Sequence, residues 1–244
     1  MKKGIYFIFF ILFASNVYSG EVVKIAIGNW EPFTSKRDKN ANMSELIVRE
    51  AFKLENIDVQ FEYFPWKRSY ENVLNARYIG TFPWAKTEER EKNFIINKEP
   101  IFKEKTVFFH LKDLDFTWNT YDDLKKYRVG GVIGYFQAEM LEKHGVKIDY
   151  VGTEDLNYKK VLKRRIQIYP TSFFVGYFQI NKLFGPVKSA LFTNHPKPLT
   201  ENNFYMLFSK KHPDSKVLSD KLDNGLKKLK AGGQYEKIVD SVLF

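Results

Sequence analysis

Cysteine is absent from the 244-residue chain. Disulfides, thiol nucleophiles and cysteine-ligated zinc are therefore excluded. Histidine is scarce: His110, His144, His195 and His212 are scattered, with no pair at metal-binding spacing. No metal and no other cofactor is expected from such a set. Long apolar runs are missing as well. The longest, Ile5–Phe13, has nine residues, whereas a membrane span needs about 20. The chain contains no GxGxxG, GK[ST] or GxSxG pattern, so nothing marks a nucleotide fold or a hydrolase nucleophile. What is abundant is apolar and aromatic material, 44% and 17% of residues, beside 28% charged residues. That composition excludes a disordered polymer and supports one large or two ordinary domains.

The N-terminus reads as a secretory signal peptide over residues 1–19. Lys2 and Lys3 supply a basic start, Ile5–Phe13 an apolar core, and Ala14–Ser19 small and polar residues, with Val17 and Ser19 placed for cleavage. A mature chain from Gly20 has 244 − 19 = 225 residues and, without the two lysines, a net charge of 37 − 29 = +8. An exported, soluble, periplasmic monomer is the expectation. The whole chain carries 39 Lys and Arg against 29 Asp and Glu. The lysines are spread along amphipathic segments rather than gathered in a block, so no nucleic-acid partner is expected.

Along the mature chain, strand patterns alternate with helix patterns. Lys24–Gly28 reads as a buried strand, Val59–Phe64 and Ile79–Phe82 as two more, and Thr106–His110, Arg128–Ile133, Ile148–Val151, Ile166–Tyr169 and Phe204–Ser209 follow. Ser44 is placed to cap a helix with Leu46, Ile47, Ala51 and Leu54 on its apolar face. Further helices are expected over Ser69–Ala76, from Thr87, over 120–127, Phe136–Lys143 and Asn157–Lys163, and across the leucines Leu218, Leu222, Leu226 and Leu229. This alternation means an α/β protein with mostly parallel sheets.

Several segments, in order, resemble bacterial extracellular solute-binding proteins of family 3, the periplasmic receptors of amino-acid-type ABC transporters. They are Trp30-x-Pro32-Phe33 after the first strand, Pro65-Trp66-Lys67-Arg68, and Thr87-Glu88-Glu89-Arg90 ahead of Phe94 and Pro100. Tyr121–Lys125 with Arg128-Val129-Gly130, Leu207–Lys211, and Gly225-Leu226 through Gly233-Gln234-Tyr235 complete the set. The resemblance implies a two-lobed type II periplasmic-binding-protein fold with ligand in the cleft. Lobe one would comprise 20–111 and 199–244, and lobe two 112–198. Crossover segments are expected at Lys112–Asp115 and His195–Leu199.

Trp30 and Phe33, then Trp66 and Arg68, then Trp84, each follow a strand, where α/β proteins place ligand loops. Core packing competes for the same aromatics. Arg90 falls in the first turn of a helix capped by Thr87, where the dipole disfavours a cation. The resemblance makes Arg90 the anchor of a ligand carboxylate. Gly130-Gly131-x-x-Gly134 predicts a tight turn that presents backbone N–H groups near Tyr135 and Phe136. Two departures from the family stand out. Ala85 occupies a usual Ser/Thr position, and Ser172 stands near the place of the carboxylate that binds an α-amino group. The implied function is capture of a small polar or anionic solute, with an ABC permease as the membrane partner. No catalytic residue is identified, and Glu31 alone could serve as a cleft acid in the alternative reading, a cyclohexadienyl-dehydratase-like enzyme. A sensor module is a third possibility that the sequence does not separate from transport.

Overall fold

A computed structural model describes residues 22–243; the expected signal peptide lies outside the described residues. β1 (Val23–Ile27) runs between β2 (Val59–Tyr63) and β3 (Gly80–Ala85), parallel to both. Its Ile25, Ala26 and Ile27 are fully buried, as a parallel strand covered on both faces requires. Helices α1 (Met43–Lys53) and α2 (Trp66–Leu74) make the crossovers between these strands. α2 starts three residues earlier than Ser69, at once after Pro65, so Trp66 and Arg68 sit in its first turn. β3 runs on through Pro83 to Ala85, which puts Trp84 within the strand.

The buried face of α1 is Ile47, Val48, Ala51 and Phe52, one step round from the expected stripe; Leu54 is 39% exposed. Ser44 does not cap α1. Its hydroxyl donates instead to the Phe33 carbonyl (2.7 Å), tying the helix to the loop before it. α1 packs on α8 (Ser215–Ala231), whose Leu218, Leu222, Leu226 and Leu229 recur at helical spacing and are buried. α3 (Glu88–Asn93) is capped by Thr87 as expected, its hydroxyl accepting from the Arg90 N–H. β4 (Phe94–Ile96) follows, and α9 (Gln234–Leu243) ends the described chain.

Two ten-residue strands join the halves. β5 (Phe102–Leu111) and β10 (Thr200–Ser209) pair antiparallel over Phe102–Thr106 and Thr200–Phe204. Beyond that stretch they diverge. β10 continues along β3 and β4, while β5 continues between β8 (Tyr169–Ser172) and β9 (Phe192–Asn194). Phe102 belongs to the first lobe's core and Val107 to the second's, so the chain changes lobe within a few residues of paired strand. The paired stretch itself lies before Lys112 and after Leu199. Charge and proline mark exposed chain, but a paired strand satisfies the backbone at the crossing itself. Leu114 and Leu199, at the expected crossings, pack into a second-lobe cluster around Phe108 and Trp118.

The second lobe adds α4 (Tyr121–Leu124), the parallel pair β6 (Val129–Val132) and β7 (Ile148–Val151), α5 (Phe136–Lys143) and α6 (Glu154–Leu162). Its longest helix, α7 (Phe173–Ser189), is broken at Gly185 (φ 67°) ahead of Pro186. The sequence pattern predicts no helix there. α7 has apolar and aromatic residues on several sides, so a single-face period is hard to see. Gly130 and Gly131 lie inside β6 and serve close packing rather than a turn: a Cβ at Gly130 would meet Asn157, and one at Gly131 would meet Ile148. Gly134 (φ 79°) does make the turn into α5. Among the described residues, no helix is long and apolar enough to cross a membrane.

Candidate functional site

The loop from Gly28 to Ser35 forms one wall of a cleft between the lobes. It closes on itself through paired Trp30 and Thr34 backbone bonds, and the Thr34 hydroxyl donates to the Gly28 carbonyl (2.7 Å). Its far end is held by Glu45, which accepts from the Ser35 N–H (2.9 Å) and from the Tyr63 hydroxyl. Burial raises the Glu45 carboxyl above its usual range, against the lowering effect of these two donors.

Aromatic rings gather where the two long strands pair. Phe33 stacks on Phe102 (4.5 Å, 7°), Phe102 stacks on Phe204 (5.1 Å, 8°), and Trp30 tilts against both Phe33 and Phe204. Phe174, at the start of α7, meets the edge of Phe33 (5.7 Å). One aromatic stack thus ties the first lobe, both crossing strands and a second-lobe helix together.

Above the stack lies a cavity of about 910 Å³. Asn29, Trp30, Glu31, Lys36 and Arg37 line it from the first lobe. Glu104, Thr106, Asn202 and Phe204 line it from the crossing strands, and Tyr135, Gln137, Glu154, Thr171, Ser172 and Gln179 from the second lobe. Its volume is within the range of small-molecule sites, and its lining comes from both lobes. Glu31 accepts from the Ser35 hydroxyl (3.1 Å) and pairs with Lys182 of α7 (3.3 Å), a bridge across the cleft.

Two further carboxylates, Glu104 and Glu154, line the same cavity. Glu104 on β5 is 7% exposed and accepts from the Phe173 N–H (3.0 Å). Burial pushes its carboxyl up to about 7, outweighing the Ser172 hydroxyl and the Phe173 N–H, which act to lower it. Glu154, the first residue of α6, approaches the Thr171 hydroxyl (3.4 Å), and burial raises its carboxyl too.

The sequence-predicted residues fall into distinct places. Trp30, Tyr135 and Ser172 line the cavity. Ser172 also caps α7, accepting from the Val175 N–H (3.2 Å). Phe33 is fully buried, so its ring serves the core stack rather than a ligand surface. Trp66 sits one layer away: its indole N–H donates to the Asn29 carbonyl (3.2 Å) and its ring meets Trp84 edge-on (5.3 Å). Arg68 lies over the Phe64 ring (5.4 Å) in a groove with Pro65, Glu71 and Arg77, apart from the interlobe cavity. Phe136 is 69% exposed on α5.

Arg90 is occupied inside the first lobe. Its Nη1 donates to the Ala85 carbonyl (2.7 Å), and its guanidinium lies 4.7 Å from the Trp84 ring centre. Neither Arg90 nor Trp84 lines the interlobe cavity. Arg90→Ala is therefore expected to cost about 1 kcal/mol of stability, from the lost hydrogen bond and ring contact. Solute affinity should change less than threefold by calorimetric titration. A loss of one to two decades would instead restore the carboxylate-anchoring role.

Glu104 and Glu154 carried no motif. Glu104 shares an inward parity with Phe102, a signal legible only once the strand is started at Phe102 rather than Thr106. An acid in the first turn after Thr153 looks like an ordinary helix start. Among the described residues there is no group of three His, Asp or Glu side chains placed to hold a metal ion.

No protein-family model matches the chain, and no curated protein matches it. Solved structures do. The second substrate-binding domain of GlnP from Lactococcus lactis, in an open conformation, is similar at 17% identity and a TM-score of 0.78, over 92% of this chain and 96% of that one. A domain assigned as the second substrate-binding domain of an amino acid ABC transporter from Streptococcus pneumoniae is 18% identical, with a TM-score of 0.75, over 92% of this chain and 100% of its own. The unliganded, open L-cystine receptor of Neisseria gonorrhoeae is 15% identical, with a TM-score of 0.74, over 90% and 92% of the two chains. The chain has the two-lobed type II periplasmic-binding-protein fold expected from its motifs.

Proposed function

We propose that the protein is an exported solute-binding protein that captures a small molecule between its lobes and presents it to an ABC-type transporter. The carrying observation is the interlobe cavity, walled by both lobes and floored by the two crossing strands. Closure about such a pair of strands brings Trp30 and Glu31 toward Tyr135 and Gln179, enclosing a solute that neither lobe encloses alone. The similar solved structures support this reading, being substrate-binding domains and a solute receptor. Lobe boundaries follow from the crossings: the first lobe ends, and resumes, where Phe102–Thr106 pairs with Thr200–Phe204.

A screen of polar metabolites by thermal shift should find a ligand. At about 100 times its Kd a ligand adds about 2.7 kcal/mol, or a rise of about 5–11 °C for a chain of this size. Small-angle scattering of the same complex should show compaction. A bound ligand that leaves the radius unchanged at saturation would rule out capture by closure.

A second reading has one observation behind it. A carboxyl pushed up to about 7 in a cleft suits a general acid, and Glu104 fits that role better than Glu31. Turnover of the bound solute, abolished in Glu104→Gln, would make the protein an enzyme on this scaffold.

A further inference from the structure

We infer that the floor of the interlobe cavity is a recognition site for an organic cation, an ammonium or guanidinium group of the solute, held between Glu104 and Glu154. This rests on the solute-capture reading above and names the class of solute.

The charges around the cavity are Glu31, Lys36, Arg37, Glu104 and Glu154, with Lys182 facing it through Glu31. Glu31 is matched by Lys182. Lys36 and Arg37 stand exposed on the first-lobe loop. Among the described residues, neither Glu104 nor Glu154 has an ion-pair partner. Glu104 Oε1 takes the Phe173 N–H, while its Oε2 has no hydrogen-bond partner although the residue is only 7% exposed. The groups packed around Glu154 are the Thr171 hydroxyl and the phenols of Tyr135, Tyr158 and Tyr169, all neutral near pH 7. A buried carboxylate without a counter-charge is costly, and so is an acceptor oxygen left unpaired. Both deficits end when a cation with several N–H donors arrives.

The surroundings favour an organic cation over a metal ion. Trp30, Tyr135 and Phe204 line the same cavity, and aromatic faces attract ammonium and guanidinium groups while shielding their apolar stems. Two carboxylates with ring faces fall short of the six to eight oxygens a calcium ion collects. Neither carboxylate is carried at Ser172, the position where the resemblance implies an amine-binding carboxylate, although the Ser172 hydroxyl and the Phe173 N–H both reach Glu104. The carboxylates come instead from the crossing strand and from the start of α6.

The test is calorimetric titration of the mature chain with putrescine, agmatine and arginine, set against glutarate, glutamine and calcium chloride. At least one of the three cationic probes should bind, at least tenfold more tightly than glutarate. Glu104→Gln and Glu154→Gln should each weaken that probe at least tenfold. Glu139→Gln, an exposed acid on α5, should bind it as the wild type does. Gln keeps the shape and an acceptor oxygen, and circular dichroism would establish that each variant is folded. Binding of a cationic probe with unchanged affinity in both variants overturns the assignment. So does a response to calcium alone. Binding of glutarate or glutamine, with compaction but no cationic response, overturns the cation site and leaves solute capture standing. Silence from every probe, with no compaction, counts against both.

Discussion

Gly225→Ala is expected to lower the melting temperature by about 6–12 °C, the largest loss foreseen for a single added methyl in this protein. Gly225 lies mid-way along α8, where that helix crosses α1. A Cβ built there would stand 2.0 Å from the Ala51 carbonyl oxygen and 2.6 Å from its carbon. The obstacle is backbone, so no rotamer change relieves it. The helices must move apart, and the contacts of Leu222, Leu226 and Leu229 with Ile47, Val48 and Phe52 loosen together. Overpacking of this kind costs about 1–3 kcal/mol, and a backbone clash belongs at the upper end. At roughly 2–4 °C per kcal/mol for a chain of this length, that gives the stated shift. Ala51→Gly added to the variant should rescue nothing, because the clashing atoms remain. Gly152→Ala, where a Cβ would meet nothing within 4 Å, should stay within about 0.5 kcal/mol of the wild type. Thermal unfolding followed by circular dichroism decides both comparisons.

The second large effect is a pH-dependent gain. Glu104→Gln should stabilise the solute-free protein by up to about 3 kcal/mol above pH 7 and by little at pH 4.5. The carboxyl has an ordinary value of 4.5 and is pushed up to about 7 in the folded chain by burial. The folded state therefore holds its proton more tightly than the unfolded state does. Wild-type stability falls as pH rises from 4.5 toward 7, and the full cost stands above 7. A difference of about 2.5 between the two values, at 1.36 kcal/mol each, sets that upper figure. Gln retains an acceptor for the Phe173 N–H and carries no charge at any pH. The Glu154 carboxyl, raised by burial in the same cavity, leaves a residual slope that the double variant should flatten. Urea unfolding at several pH values reads the effect directly. A wild type and variant that run parallel between pH 4.5 and 8 would mean that Glu104 is solvated like a surface acid. The same ionisation governs capture of a cation: affinity for a cationic solute should decline as pH falls below about 7, because the protonated carboxyl offers no charge.

The two cavity carboxylates also show why a site can hide in a readable sequence. Strand and helix positions came from periodicity, which is a local property: apolar residues two apart, or three and four apart, must share a face whatever the rest of the chain does. Lys24–Gly28, Phe136–Lys143 and Ile148–Val151 were legible for that reason. So was the leucine stripe of α8, and so was the Thr87 cap, whose hydrogen bond spans three residues. On α1, Leu46 and Leu54 match the helical period as well as Val48 and Phe52 do, yet it is Val48 and Phe52 that are buried. Only the position of α8 selects between them.

Periodicity along the chain thus determined the α/β class, and the resemblance of its motifs implied the two-lobed fold and the loop that carries Trp30. It also suggested Arg90 and the three tryptophans as one cluster, since each ends or follows a strand. The tertiary structure keeps Trp66, Trp84 and Arg90 in contact with one another but outside the lining of the interlobe cavity. Arg90 turns back to Ala85 and Trp84, Phe33 sinks into a stack with Phe102, and Trp30 alone of the three tryptophans lines the cavity. Glu104 and Glu154 are 50 residues apart in sequence (154 − 104) and line one space only because β5 leaves the first lobe to pair with β8 beside α6. Burial, the absence of a counter-charge and the resulting hold on a proton are properties of that meeting. They depend on which groups exclude water from which, and no spacing within the chain encodes them.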